Sequence, residues 1–79
     1  MSLELIAFFC DRAKLNMRIA ADQRVWKQTR LQHYQLAEAN FLCALSCRDL
    51  SKQTALEIRE IRMAYRAEFG RSYNTDTEG

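Results

Sequence analysis

From Met1 to Phe69 the chain contains neither glycine nor proline; its two glycines are Gly70 and Gly79. Those two residue types are the strongest punctuation of a backbone, so 69 consecutive residues without them favour long helices over sheets and tight turns. Ala, Leu, Arg, Gln and Glu dominate the same stretch, and all are good helix formers. No strand-like alternation persists, and no internal repeat or low-complexity tract stands out. The expected class is all-α, and 79 residues allow a single helical domain spanning 1–79.

The clearest helix is the last. Leu50, Thr54, Ile58, Ile61, Tyr65 and Phe69 share one face at helical spacing. Asp49 or Ser51 is placed to cap its start, with Thr54 to Glu57 as an alternative capping box one turn later. Gly70 is expected to close it in a left-handed conformation, leaving 71–79 as a frayed tail. Met1 to Leu3 and Glu78-Gly79 read as vector-derived flanks.

The region before it carries several apolar lines. Leu5, Phe8, Leu15 and Ile19 form one stripe; Ile6, Phe9/Cys10, Ala13, Met17 and Ala20 form another. Further on, Trp26, Thr29, His33, Leu36, Asn40, Cys43, Cys47 and Leu50 step alternately by three and four, a heptad-like seam. Leu31, Tyr34, Phe41 and Leu45 lie opposite that seam. Asn16 and Asp22 are the only candidate breaks between Ser2 and Ser46. A break at Asp22 gives three helices near 3–20, 23–47 and 50–69. Caps are poor at both positions, so one continuous or gently kinked helix over 3–47 is favoured, about 66 Å long. The architecture is thus a long-helix hairpin or a three-helix unit.

A helix apolar on two sides must be covered on two sides. A core built from 79 residues is thin, and nothing supplies a staple: three cysteines leave an odd one. A helical-bundle homodimer is therefore expected, with the seam from Trp26 to Leu50 as its interface. His33 and Asn40 are expected to be hydrogen-bonded between helices there, fixing register.

Chemistry is sparse. Cys43 and Cys47 stand one turn apart with His33 on the same seam, but the spacing lacks the loop of a chelating pair, so buried, reduced, metal-free thiols are expected. His33 has no nucleophile or carboxylate at a defined spacing, and no glycine loop exists to cradle a phosphate. No enzyme activity, cofactor or metal is expected. The chain carries 12 − 10 = +2 net charge, yet Arg12, Lys14, Arg18, Arg24, Lys27 and Arg30 stand against only Asp22 between 12 and 30. That cluster supplies possible phosphate contacts. A helix-turn-helix around Ser46 to Glu57 lacks the usual turn glycine. The longest apolar run, Leu5 to Cys10, is far short of a membrane span, and no positive charge precedes it as in a signal peptide. The reading is a small cytoplasmic interaction or regulatory protein that docks helices on a protein partner. The alternative is a small dimeric nucleic-acid-binding regulator using the basic region from Arg12 to Arg30.

Overall fold

The structure, a computed structural model, describes residues 2–75. Three helices follow in order: α1 (Ser2–Ala21), α2 (Lys27–Leu45) and α3 (Lys52–Thr75). The all-α class and the three-helix alternative are what forms; the continuous helix over 3–47 is not.

The break at Asp22 has a local cause that needs neither glycine nor proline. The Asp22 N–H bonds to the Ile19 carbonyl at 3.1 Å, and the Val25 N–H returns to the Asp22 carbonyl at 3.0 Å. The Asp22 carboxylate accepts the Arg24 N–H at 3.0 Å and both ends of the Arg24 guanidinium at 3.0 Å. An aspartate that bonds the backbone two residues on imitates a turn, which competes with helix continuation. These Arg24 hydrogen bonds hold the Asp22 carboxyl below its ordinary range. Asp22 is thus a turn-former rather than the cap of a helix at Gln23. Helix α2 starts at Lys27 behind Trp26, which offers no side-chain cap.

At the other corner, the Ser46 hydroxyl and N–H fold back on the Cys43 and Leu42 carbonyls, and α2 ends. Ser51 then caps α3: its hydroxyl accepts the Thr54 N–H at 3.1 Å and lies 2.9 Å from the Thr54 hydroxyl.

The most extensive contact is α1 against α2. Ala13 and Ala20 of α1 and Ala37 and Ala44 of α2 have no exposed surface. Each pair is seven residues apart, so each lines one side of its helix, and small residues let two helices approach closely. Ile6, Met17, Phe41 and Ile58 complete the core, with Phe9, Cys10, Tyr34, Leu45, Cys47, Leu50, Ile61 and Tyr65 packed against it. Of the two α1 stripes, the one from Ile6 to Ala20 is inside, and the bulkier one from Leu5 to Leu15 is outside.

Helix α3 runs antiparallel to α2. Tyr34 stacks on Phe69 with ring centroids 4.3 Å apart, and Arg62 Nε donates to Glu38 at 2.6 Å. Lys27 lies 4.4 Å from the ring centre of Tyr73. As the α2 number falls, the α3 number rises. Contacts spread along both helices are not the steep crossing of a helix-turn-helix.

Gly70 does not end α3. The helix continues to Thr75, and among the described residues no glycine has a positive φ. The added turn is held by tertiary contacts: the Ser72 hydroxyl donates to the Ala21 carbonyl at 2.8 Å, and the Tyr73 ring lies beneath Lys27 and Arg30 of α2. The expected frayed tail is therefore corrected for 71–75, while 76–79 lies outside the described residues. A side chain at Gly70 would meet nothing within 4 Å. Gly70→Ala is accordingly expected to stabilise the protein by about 0.5–1 kcal/mol, because a mid-helix glycine costs roughly that relative to alanine. Thermal unfolding followed by circular dichroism checks it.

Candidate interaction surface

The α2 residues sort by direction at about 100° per residue. Tyr34 and Glu38 turn toward α3, as their partners Phe69 and Arg62 show. His33 turns toward α1, where its Nδ1 lies 2.7 Å from the Asn16 side-chain oxygen. The Asn16 amide nitrogen donates to the Arg12 carbonyl at 2.8 Å, which leaves its oxygen as the acceptor. His33 therefore donates from Nδ1. Beyond His33, on the side away from α3, come Asn40, Thr29, Leu36 and Cys43.

Helix α1 mirrors this arrangement. Beyond Asn16, and away from buried Met17, come Leu5, Arg12, Ile19, Phe8 and Leu15. The α1–α2 hairpin thus has α3 on one side and a bare side on the other. The bare side presents Phe8 at 53%, Leu15 at 54% and Leu36 at 53% exposure. Leu5 is exposed too, and the Asn16–His33 bond runs along the boundary between the two helices. Leu31, Leu42, Leu56 and Met63 are exposed on other faces, but Leu5, Phe8, Leu15 and Leu36 lie together, and a contiguous apolar patch is the usual mark of an association site.

Only part of the expected seam lies on this face. Thr29, Leu36 and Cys43 are exposed there, and His33 and Asn40 are partly covered. Trp26 stands at the α1–α2 corner, 85% exposed. Cys47 and Leu50 pack against the protein's own core, because α2 ends at Leu45 and the heptad count does not continue through the connector. Asn40 makes no bond across helices; its amide donates to the Leu36 carbonyl of its own helix at 2.8 Å. Between α1 and α2, His33 pairs instead with Asn16. In the sequence Asn16 stands out only as a candidate break, and its place between two apolar stripes is the signal that points to this pairing.

The thiols also differ from expectation. Cys43 is exposed, and Cys10 and Cys47 are half-buried; all three are free. Among the described residues no group of three or more His, Cys, Asp or Glu is placed to hold a metal ion. Burial pushes the Cys10 thiol up, partly offset by Lys14. Cys43 is therefore expected to alkylate about ten-fold faster than Cys10 with iodoacetamide at pH 8, since the exposed thiolate is the reactive form. Peptide mass spectrometry over a time course reads the ratio.

The basic region from Arg12 to Arg30 is divided by the fold. Arg30 has no exposed surface and lies 5.6 Å from the Tyr73 ring centre. This corrects its place among possible phosphate contacts. Arg24 is bound to Asp22, and Lys27 covers Tyr73. Arg12 and Arg18 are exposed on α1 and Lys14 is partly covered, with Arg12 lying 5.7 Å from the Phe8 ring centre. Among the described residues no helix is long and apolar enough to cross a membrane.

Tyr34 and Glu38 meet on the α3 side of α2. Burial first, and the Glu38 charge second, push the Tyr34 phenol up, while Arg62 neutralises Glu38. This cluster joins α2 to α3 and faces inward.

No protein-family model, curated protein or solved structure matches the chain.

Proposed function

We propose that this is a small non-catalytic interaction or regulatory protein that works by docking the bare face of its α1–α2 hairpin on helices of a protein partner, a homodimer being the simplest form. The observation that carries this reading is the half-exposed set of Phe8, Leu15 and Leu36 on one side of the hairpin, with α3 packed on the other. Two helices side by side leave a groove, and a third or fourth helix fills it by the same packing that α3 uses. The nucleic-acid alternative has less support. Of the six basic residues that suggested it, Arg30 has no exposed surface and Lys27 lies over the Tyr73 ring.

The test is capture from native lysate on the immobilised full chain, with nuclease present and at 50 and 300 mM salt. The docking reading expects protein capture that survives nuclease and higher salt and is lost with Phe8→Glu or Leu36→Glu. Capture abolished by nuclease, or falling steeply with salt while indifferent to those substitutions, would favour phosphate-driven binding instead.

A further inference from the structure

We infer that the occupant of the bare face is a second copy of this chain, its α1 lying antiparallel to the first across a two-fold axis near residues 10–11. This rests on the docking reading and deepens it by naming the partner. The evidence is the order of residues along the exposed side of α1. Acidic Glu4 and Asp11 occupy its first half, and basic Arg12 and Arg18 its second. A parallel neighbour would set like charge beside like charge. An antiparallel copy sets Glu4 beside the partner's Arg18, and by symmetry does so twice.

The same register aligns the apolar residues. Leu5 falls opposite the partner's Leu15, again twice, and Phe8 opposite the partner's Arg12. Arg12 already leans on Phe8 of its own chain at 5.7 Å, so its stem lies along the stripe and its guanidinium is placed to cover a second aromatic face. Asp11 from each copy comes near the axis, where the two Arg12 side chains offset the paired carboxylates. Leu36 and Thr29 of each α2 flank the contact, giving a central bundle of four helices with both α3 helices outside. The mixed charge along α1 favours this occupant over an anionic lipid surface, which would repel Glu4 and Asp11.

Sedimentation equilibrium of the full chain from 1 to 200 µM tests it. The wild type is expected to pass from 9.3 kDa to twice that mass. Leu15→Glu, a change at an exposed site that leaves the thermal melt of the fold intact, is expected to raise the dissociation constant at least about 30-fold, because a charge must be buried against leucine. Glu4→Arg and Arg18→Glu are each expected to raise it about 5- to 10-fold, and the double reversal to return it to within about two-fold of wild type. A 9.3 kDa mass throughout overturns the proposal, and binding of that monomer to phosphatidylserine vesicles would assign the face to a membrane. A dimer indifferent to Leu15→Glu overturns the face. A dimer that the double reversal fails to restore overturns the antiparallel register. A monomer that still captures a nuclease-resistant protein through Phe8 leaves the docking reading standing without self-pairing; a monomer that captures nothing removes both.

Discussion

Replacing Phe41 with alanine is expected to destabilise the protein by about 3–5 kcal/mol and to lower its melting temperature by more than about 12 °C. Phe41 is among the largest side chains with no exposed surface, and it sits in the cluster with Ile6, Met17, Ala44 and Ile58, which draws on all three helices. Truncation removes its transfer free energy and leaves a cavity that rigid helices close only in part. A domain of this size has a total stability of only about 4–12 kcal/mol. The variant is therefore expected to be largely unfolded at 37 °C. Calorimetry or circular dichroism against temperature checks this. A loss below about 1 kcal/mol would mean that the three helices do not share one core.

The second large effect comes from adding atoms rather than removing them. Ala37→Leu is expected to destabilise by about 1–3 kcal/mol. Ala37 has no exposed surface and belongs to the small-residue lining formed with Ala13, Ala20 and Ala44. A leucine there needs the volume of three further carbons inside the α1–α2 contact. The helices must separate, which opens gaps around the other three alanines and strains the Asn16–His33 bond of 2.7 Å. By helix propensity alone leucine for alanine is nearly neutral, so a loss of this size isolates packing from propensity. Leu31→Ala, on an exposed part of the same helix, supplies the comparison and is expected to change stability far less.

The contrast between these two sites explains why the class of fold was readable and its inside was not. The absence of breakers, the composition and the α3 face through Ile58 and Phe69 all point the same way, and α3 forms with Ser51 as its cap. On α1 both apolar stripes are visible in the sequence, and nothing in it ranks the bulkier one, with Leu5, Phe8 and Leu15, below the other. Burial went to the stripe containing Ala13 and Ala20, because close approach between helices rewards small side chains. Ala37 and Ala44 carry the same information on α2, masked by the more conspicuous heptad from Trp26 to Leu50.

Other misreadings share a physical root. Asp22, one of the two candidate breaks, ends α1 through a side-chain turn with Arg24 rather than as a cap, so its poor capping position does not argue for a continuous helix. Gly70 reads locally as a terminator, yet Ser72 finds a partner at Ala21 and Tyr73 at Lys27 and Arg30, and those contacts outweigh a weak preference. Arg30 reads as one more surface cation, and its burial depends on where α3 ends. In each case the deciding partner is distant in sequence, or its geometry is set by a helix boundary.

Hydroxyl-radical footprinting of the full chain at 1 and 200 µM tests most directly whether the bare hairpin face is the surface that associates. Phe8, Leu15 and Leu36 report on that face, while Met63, 70% exposed on α3, and Leu56 report on the opposite exterior. Covering the face is expected to lower the labelling of Phe8, Leu15 and Leu36 several-fold between the two concentrations, with Met63 and Leu56 unchanged. Equal labelling of Phe8, Leu15 and Leu36 at both concentrations, or protection centred on Met63 and Leu56, would contradict it.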